Sequence, residues 1–241
     1  MRIRVVTPII TESFGPLILQ EFTAAARSDV EVTNVFLDAG PASIESEYDD
    51  ALAVPGILAK VRQAGEEGID AIVINCMADP GLRAAREVVS IPVIGPCEAS
   101  MHLAAMLGHK FSVLAVLDRL VPQFEDQATA YGVKDKLASV RSVEFPVLEM
   151  EEGRERLSAL LVEQAVKAVQ KDDAHVIILG CTGMMGLAHE VEEGLKKRGC
   201  PVPVVDPAIV ALKTAEAQVD LGLSHSKKTY PYPPEKEIIG Y

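Results

Sequence analysis

The residues of this 241-residue chain with the most chemistry in them are its four cysteines, Cys76, Cys97, Cys181 and Cys200. Two of the four sit alike. Cys76 closes the run Asp70-Ala71-Ile72-Val73-Ile74-Asn75-Cys76, and Cys181 closes His175-Val176-Ile177-Ile178-Leu179-Gly180-Cys181. Each is an apolar, strand-like run that ends one residue before a thiol, and open α/β sheets bind ligands at the carboxyl ends of their strands. Asp79 has the preference for a helix N-cap and Pro80 suits a first helical turn, so Cys76 is expected just ahead of a helix N-terminus. After Cys181, Thr182 reads as a cap and Gly183 lets the backbone approach a ligand closely. Helix N-termini lower a thiol's pKa and offer N–H groups to an anion. Both effects serve the removal of a proton from carbon beside a carbonyl, where enolate-like charge must be stabilised as it forms. Two equivalent thiols on facing halves can take a proton from one face of a substrate and return one to the other, one acting as thiolate and the other as thiol.

Blander readings stand beside this one. Cysteine often serves as a small buried hydrophobe. Cys97, in Gly95-Pro96-Cys97-Glu98 near a helix start, reads as core filling, and Cys200 before Pro201 reads as incidental in a surface-like turn. A helix-capping role already accounts for Asp79, although it could also orient a thiol's proton. The thiol pair also fits a non-catalytic small-anion binding protein, or a redox pair if the sulfurs lie within disulfide distance. There is no CxxC pair and no Cys/His ligand spacing, so no metal site is expected. The five histidines are too scattered to suggest a triad.

The elements that must position the thiols follow from hydropathy. Strand-like runs at Ile3–Val6, Val30–Phe36, Ala71–Asn75, Val93–Ile94, Ser112–Val116, Val140–Phe145, Val176–Leu179 and Val204–Val205 are mostly continuous rather than alternating, as in parallel strands buried on both faces. Helical stretches are expected between them, at Gly15–Arg27, Ile44–Glu67, Pro80–Val89, Glu98–Leu107, Leu120–Tyr131, Glu151–Lys171, Met185–Arg198 and Pro207–Leu221. The alternation predicts an α/β fold with parallel sheets. The chain also repeats itself: beyond the cysteine runs, Ile91-Pro92-Val93-Ile94-Gly95-Pro96 matches Val202-Pro203-Val204-Val205-Asp206-Pro207, at offsets of 105 to 111 positions. Two similar α/β halves are the simplest account. If the last helix packs back on the first half, the domains are 1–97 with 208–241, and 98–207. The Pro-rich residues 224–241 are expected to run as an extended tail along the body or a neighbouring subunit.

Composition narrows the partners. A formal charge of −12, with only Lys196-Lys197-Arg198 and Lys227-Lys228 as dense basic spots, argues against binding nucleic acid. No run approaches the roughly 18 consecutive apolar residues that span a bilayer. The N-terminal apolar run breaks at Thr7-Pro8, too soon for a signal-peptide core. A cytoplasmic protein with reduced thiols and a small-molecule substrate is expected, with neither nucleic acid nor membrane as partner.

Ile74-Asn75-Cys76-Met77-Ala78-Asp79-Pro80-Gly81 and Leu179-Gly180-Cys181-Thr182-Gly183-Met184 resemble the two cysteine motifs of the aspartate/glutamate racemase superfamily. Within it, Gly40-Pro41-Ala42-Ser43-Ile44-Glu45 and Val93-Ile94-Gly95-Pro96-Cys97-Glu98-Ala99 are most similar to hydantoin racemase. The resemblance covers nearly the whole chain. It implies two pseudo-symmetric parallel-sheet α/β domains with the active site in the cleft between them, Cys76 and Cys181 as the two bases, no metal or pyridoxal phosphate, and a homo-oligomer. It implies that backbone around Met77-Ala78 and Thr182-Gly183 holds the substrate's carbonyl groups, and that loops at Thr7-Pro8, Pro41-Ala42 and Val116-Leu117 line the pocket. The implied reaction is racemisation of 5-substituted hydantoins, with allantoin or aspartate/glutamate as alternatives in the same chemistry. No Arg or Lys flanks either motif closely, which weighs against an acidic substrate. One departure bears on substrate: the relatives usually carry Asn-Pro-Asn after the first strand, where this chain has Thr7-Pro8-Ile9.

Overall fold

The computed structural model describes residues 1–150 and 152–237. Among them the chain runs β1 (Arg2–Thr7), α1 (Gly15–Ala25), β2 (Glu31–Phe36), α2 (Glu47–Glu66), β3 (Ala71–Ile74), α3 (Leu82–Val88), β4 (Val93–Ile94) and α4 (Pro96–Leu107). It continues through β5 (Phe111–Ala115), α5 (Val121–Ala130), β6 (Leu137–Ser142), α6 (Arg154–Asp172), β7 (Val176–Leu179), α7 (Ala188–Lys197), β8 (Val204–Val205) and α8 (Pro207–Asp220). The strands make two four-stranded sheets, ordered β2-β1-β3-β4 and β6-β5-β7-β8, with every pairing parallel. The sequence repeat is therefore a repeat of topology.

The central strands explain why the sheets form. β3 (Ala-Ile-Val-Ile) and β7 (Val-Ile-Ile-Leu) are buried along their whole length. Branched aliphatic side chains suit a pleated surface covered on both faces, and each one buried is worth about 1.5–3 kcal/mol. After β8 the chain crosses back: α8 packs on β3, β4 and α1 as well as on α4. The residues beyond α8 follow the first lobe. Ser224 Oγ donates to the Ser90 carbonyl, and Lys227 Nζ donates to the carbonyls of Arg86 and Val89 at 2.8 and 2.6 Å. The last four residues of the expected tail, and Glu151 at the expected start of α6, lie outside the described residues.

Several element boundaries differ from expectation: the second and seventh helices start three residues late, at Glu47 and Ala188, and two other shifts have clear local reasons. The sixth strand pairs over Leu137–Ser142 rather than from Val140 to Phe145. A single 3₁₀ turn at Lys134–Lys136 delivers Leu137 beside Phe111, and Glu144 at φ +50° bends the chain where the strand was expected to continue. The third helix starts at Leu82 rather than Pro80, because Asp79 (φ +50°) and Gly81 (φ +64°) are both left-handed. No helix among the described residues is long and apolar enough to cross a membrane.

Candidate active site

Both thiols are set by the same ladder. Asn75 N donates to Val6 O at 2.8 Å, and at the matching place Gly180 N donates to Leu114 O at 2.9 Å. Each bond carries the sheet one residue past its strand, and the next residue is the cysteine. The two thiols line one cavity of about 810 Å³, counting the space at its open mouth. From the first lobe the wall takes Thr7, Pro8, Ile9, Asn75 and Cys76, with Phe14, Leu17, Ile18 and Ile44 behind them. From the second it takes Val147, Met150, Arg154, Cys181, Thr182, Gly183 and Met185.

The two cysteine loops touch at Thr182, whose Oγ1 donates to the Asn75 carbonyl at 3.0 Å. Asn75 Nδ2 in turn donates to Thr7 Oγ1 at 3.4 Å, and Thr7 Oγ1 donates to Asn34 Oδ1 at 2.7 Å. Asn75 Oδ1 is buried and has no hydrogen-bond partner. An orphaned acceptor costs about 1–3 kcal/mol, which a ligand N–H would recover.

Each sulfur faces the backbone amide two residues on. Gly183 N donates to Cys181 Sγ at 3.3 Å, and at Cys76 the Ala78 amide acts in the same direction, favouring the thiolate. The expected lowering of the thiol pKa values does not occur. Burial pushes Cys181 up to about 11 and Cys76 well above its ordinary value, and for Cys76 the charges of Asp50, Cys181 and Asp79 act in the same direction. The reason is geometric. No α-helix begins at either thiol: α3 starts only at Leu82, and Thr182–Met184 is one 3₁₀ turn, too short to build a macrodipole. The amides oppose the shift and burial outweighs them.

Three further expectations change. Asp79 does not cap its own helix. Its carboxylate crosses to α4, accepting from Cys97 N at 3.0 Å and Glu98 N at 2.8 Å, and from the Tyr131 hydroxyl at 2.7 Å. Burial raises its pKa to about 7 despite those bonds. Thr182 is not the cap of its turn; Cys181 is, through its sulfur. Cys200 is buried in the second lobe's core rather than surface-like, because the chain folds in under α6, where Gln170 Nε2 meets its sulfur at 3.4 Å.

Of the residues expected at the site, Cys76, Cys181, Thr7, Pro8, Thr182 and Gly183 share the cavity wall, and six others do not line it. Met77 turns into the second lobe's core, Val116 is buried there and Leu117 packs against it. Ala78 contributes its amide to Cys76. Pro41 and Ala42 sit behind the wall, their carbonyls accepting from Ile10 N and Thr11 Oγ1 and so bracing the loop after β1. Sequence reasoning missed Asn75, Met150, Arg154 and the apolar wall from Phe14 to Ile18. Asn75 was readable from its place beside Cys76. Arg154, at the start of α6, reaches the cavity only through the fold, so no spacing could signal it.

Two like lobes that each bring a thiol to one cavity fit a two-lobed α/β isomerase of the racemase type. The solved structure titled "Allantoin racemase from Klebsiella pneumoniae" matches with a TM-score of 0.93 at 35% identity, over 100% of this chain and 96% of that one. A hydantoin racemase from Pseudomonas sp. (strain NS671) is 42% identical over 100% of this chain and 95% of its own length. One from Rhizobium meliloti is 38% identical over 100% and 98%. The model of the Asp/Glu/Hydantoin racemase family matches residues 3–215, and the chain belongs to that family.

Proposed function

We propose that the chain racemises 5-substituted hydantoins without a cofactor, Cys76 and Cys181 exchanging the roles of base and acid. The observation that carries this reading is the pair of thiols in one cavity wall, each from the same loop of a repeated lobe and each with an amide at its sulfur. A thiolate on one side takes the proton from C5, beside the ring carbonyl, and becomes a thiol. The planar enolate left behind takes a proton from the opposite thiol, which becomes the thiolate. One proton moves to the enzyme and another moves off it, so charge balances in every step. The Coulombic effect of Cys181 on Cys76 disfavours two thiolates together, which suits a pair carrying one negative charge.

The wall bears on substrate. Phe14, Leu17, Ile44, Val147 and Met150 offer apolar surface to a C5 substituent, and among the described residues Arg154 is the only charged one in the lining. Asn75 Oδ1 offers an acceptor to a ring N–H. This combination favours hydantoins with an apolar substituent over allantoin, whose ureido arm would leave polar groups against Phe14 and Leu17. Allantoin remains the second reading, because the solved allantoin racemase is alike over the full chain. Polarimetry on enantiopure 5-isobutyl- and 5-benzylhydantoin, allantoin, aspartate and glutamate tests both. Loss of rotation with the alkyl hydantoins supports the proposal, and loss with allantoin alone replaces it by the second reading.

A further inference from the structure

The two lobes hold their sulfur-facing amides by different means, and the difference singles out one residue. A trans peptide points its C=O and N–H in opposite directions, so whatever holds the carbonyl aims the N–H. In the second lobe, the peptide that sends Gly183 N–H to Cys181 Sγ has its carbonyl, Thr182 O, bonded by Met185 N of the same 3₁₀ turn at 3.3 Å. The backbone of that loop is self-sufficient. The first lobe makes the first bond of such a turn but not the second, because Pro80 stands in the place of Met185 and has no N–H to donate to the Met77 carbonyl.

Its carbonyls go instead to Gln127, on α5 of the other lobe. Gln127 Nε2 donates to Met77 O at 3.2 Å and to Ala78 O at 2.7 Å. The opposite ends of those same two peptides are the Ala78 and Asp79 amides. The first acts on Cys76 as a backbone donor that favours its thiolate, and the second donates to the Cys76 carbonyl at 3.0 Å. The orientation of the Gln127 amide is itself fixed. Its Oε1 accepts from the buried Cys97 thiol at 3.2 Å, and a flipped amide would set its oxygen against two carbonyls. One turn further along α5, Tyr131 holds the Asp79 carboxylate, so one helix face grips the loop at both ends.

We propose that Gln127 is a positioning residue dedicated to Cys76: by clamping the Met77 and Ala78 carbonyls it aims the Ala78 N–H at that sulfur and leaves Cys181 to its own turn. The inference deepens the two-thiol reading and rests on it for its catalytic consequence. Steady-state rates alone cannot isolate the effect. Enantiomers have equal free energy, so kcat/KM must stay equal in the two directions in every variant.

The test is therefore resolved by cysteine. Gln127→Met and Gln127→Glu, both near-isosteric, are compared with wild type after thermal melts confirm folding. Iodoacetamide alkylation of Cys76 and Cys181 is followed separately by peptide mass spectrometry from pH 7 to 10. Loss of a donor to a thiolate amounts to about one pKa unit, so Cys76 should slow about ten-fold while Cys181 stays within about two-fold. Equal slowing of both, or an unchanged Cys76, overturns the proposal. The catalytic arm uses enantiopure 5-isobutylhydantoin in deuterium oxide. In a Cys181→Ser chain, where Cys76 alone exchanges the C5 hydrogen, Gln127→Met should lower exchange about ten-fold. In a Cys76→Ser chain it should not. Equal losses in the two chains overturn the proposal. If wild type exchanges neither hydantoins nor allantoin, the reaction reading fails while the alkylation result still decides the role of Gln127.

Discussion

The two cysteine loops do the same job with their parts exchanged. In the second lobe, Asp206 ends the last strand and caps α8 through Ala208 N and Ile209 N, and its other oxygen reaches back to Gly186 N in the cysteine loop at 3.1 Å. In the first lobe, the matching position after β4 is Gly95, and the carboxylate comes from the cysteine loop itself. Asp79 reaches forward to cap α4. A Cβ at Gly95 would lie 2.5 Å from Asp79 Cγ, so the glycine is bare because Asp79 occupies its side-chain space. Each lobe thus ties its loop to the helix after the next strand with one carboxylate, contributed from opposite ends of the tie. Duplication preserves an interaction without preserving the residue that makes it.

The sharpest break in the comparison is chemical. Cys76→Ser and Cys181→Ser should each lower racemisation of a hydantoin by at least about a thousand-fold, since a serine hydroxyl is a far weaker base. Each should still allow C5 hydrogen exchange with one enantiomer only, read by NMR in deuterium oxide. Symmetric loss of exchange with both enantiomers would contradict two opposed thiols.

The next effect is steric. Gly95→Ala should destabilise by about 3 kcal/mol through overpacking against Asp79 and Leu82, measured by denaturant unfolding. Combining Asp79→Gly with Gly95→Asp rebuilds the second lobe's arrangement in the first. That double variant should be more stable than Gly95→Asp alone, and a double variant no better than the single would break the exchange argument. Asp79→Ala and Asp206→Ala should each cost about 1–2 kcal/mol as lost helix caps, and nearly equal losses would sharpen the equivalence.

The smaller effects concern pH. Asp79 sits at about 7 in the folded chain, above its unfolded value, so the fold binds this proton more tightly. Its contribution to stability is full below the unfolded value and lost as pH rises through about 7. Asp79→Asn should flatten the fall in stability between pH 4 and 7, followed by melting temperature. Both thiols are raised by burial, so kcat/KM for a hydantoin should keep climbing with pH beyond 9 rather than level off near 8. A plateau in the neutral range would mean that a thiol of the free enzyme titrates below its ordinary value despite its burial, since kcat/KM reports the free enzyme.

Much of this was legible in the sequence. Continuous aliphatic runs specify buried parallel strands, and the match of Asn75-Cys76 with Gly180-Cys181 announced both the repeat and the two thiols that share one cavity wall. What spacing could not reveal depends on contacts between distant segments. Asp79 has the side chain of a cap, and only the fold decides that it caps α4 rather than α3. Gln127 and Arg154 lie on helices whose sequences carry no chemical signature, and they matter for what they touch. The thiol pKa direction was misjudged because residue order suggests a helix dipole, whereas burial is a property of the closed lobes. Gly180 shows the limit from the other side. Its Cβ would meet Leu114 O at 2.4 Å, so the second lobe has no room for a counterpart of Asn75, and the position before the cysteine brings a side chain to the cavity from one lobe only.

The hydroxyl of Thr182 on the Asn75 carbonyl joins the loops that carry the two sulfurs. A strap this short acts as a caliper. With the Gln127 and Tyr131 contacts to the Cys76 loop, it sets the spacing of the two jaws. A flat ring can slide between jaws held that way, while a bulkier, fully tetrahedral skeleton would have to pull the strap undone.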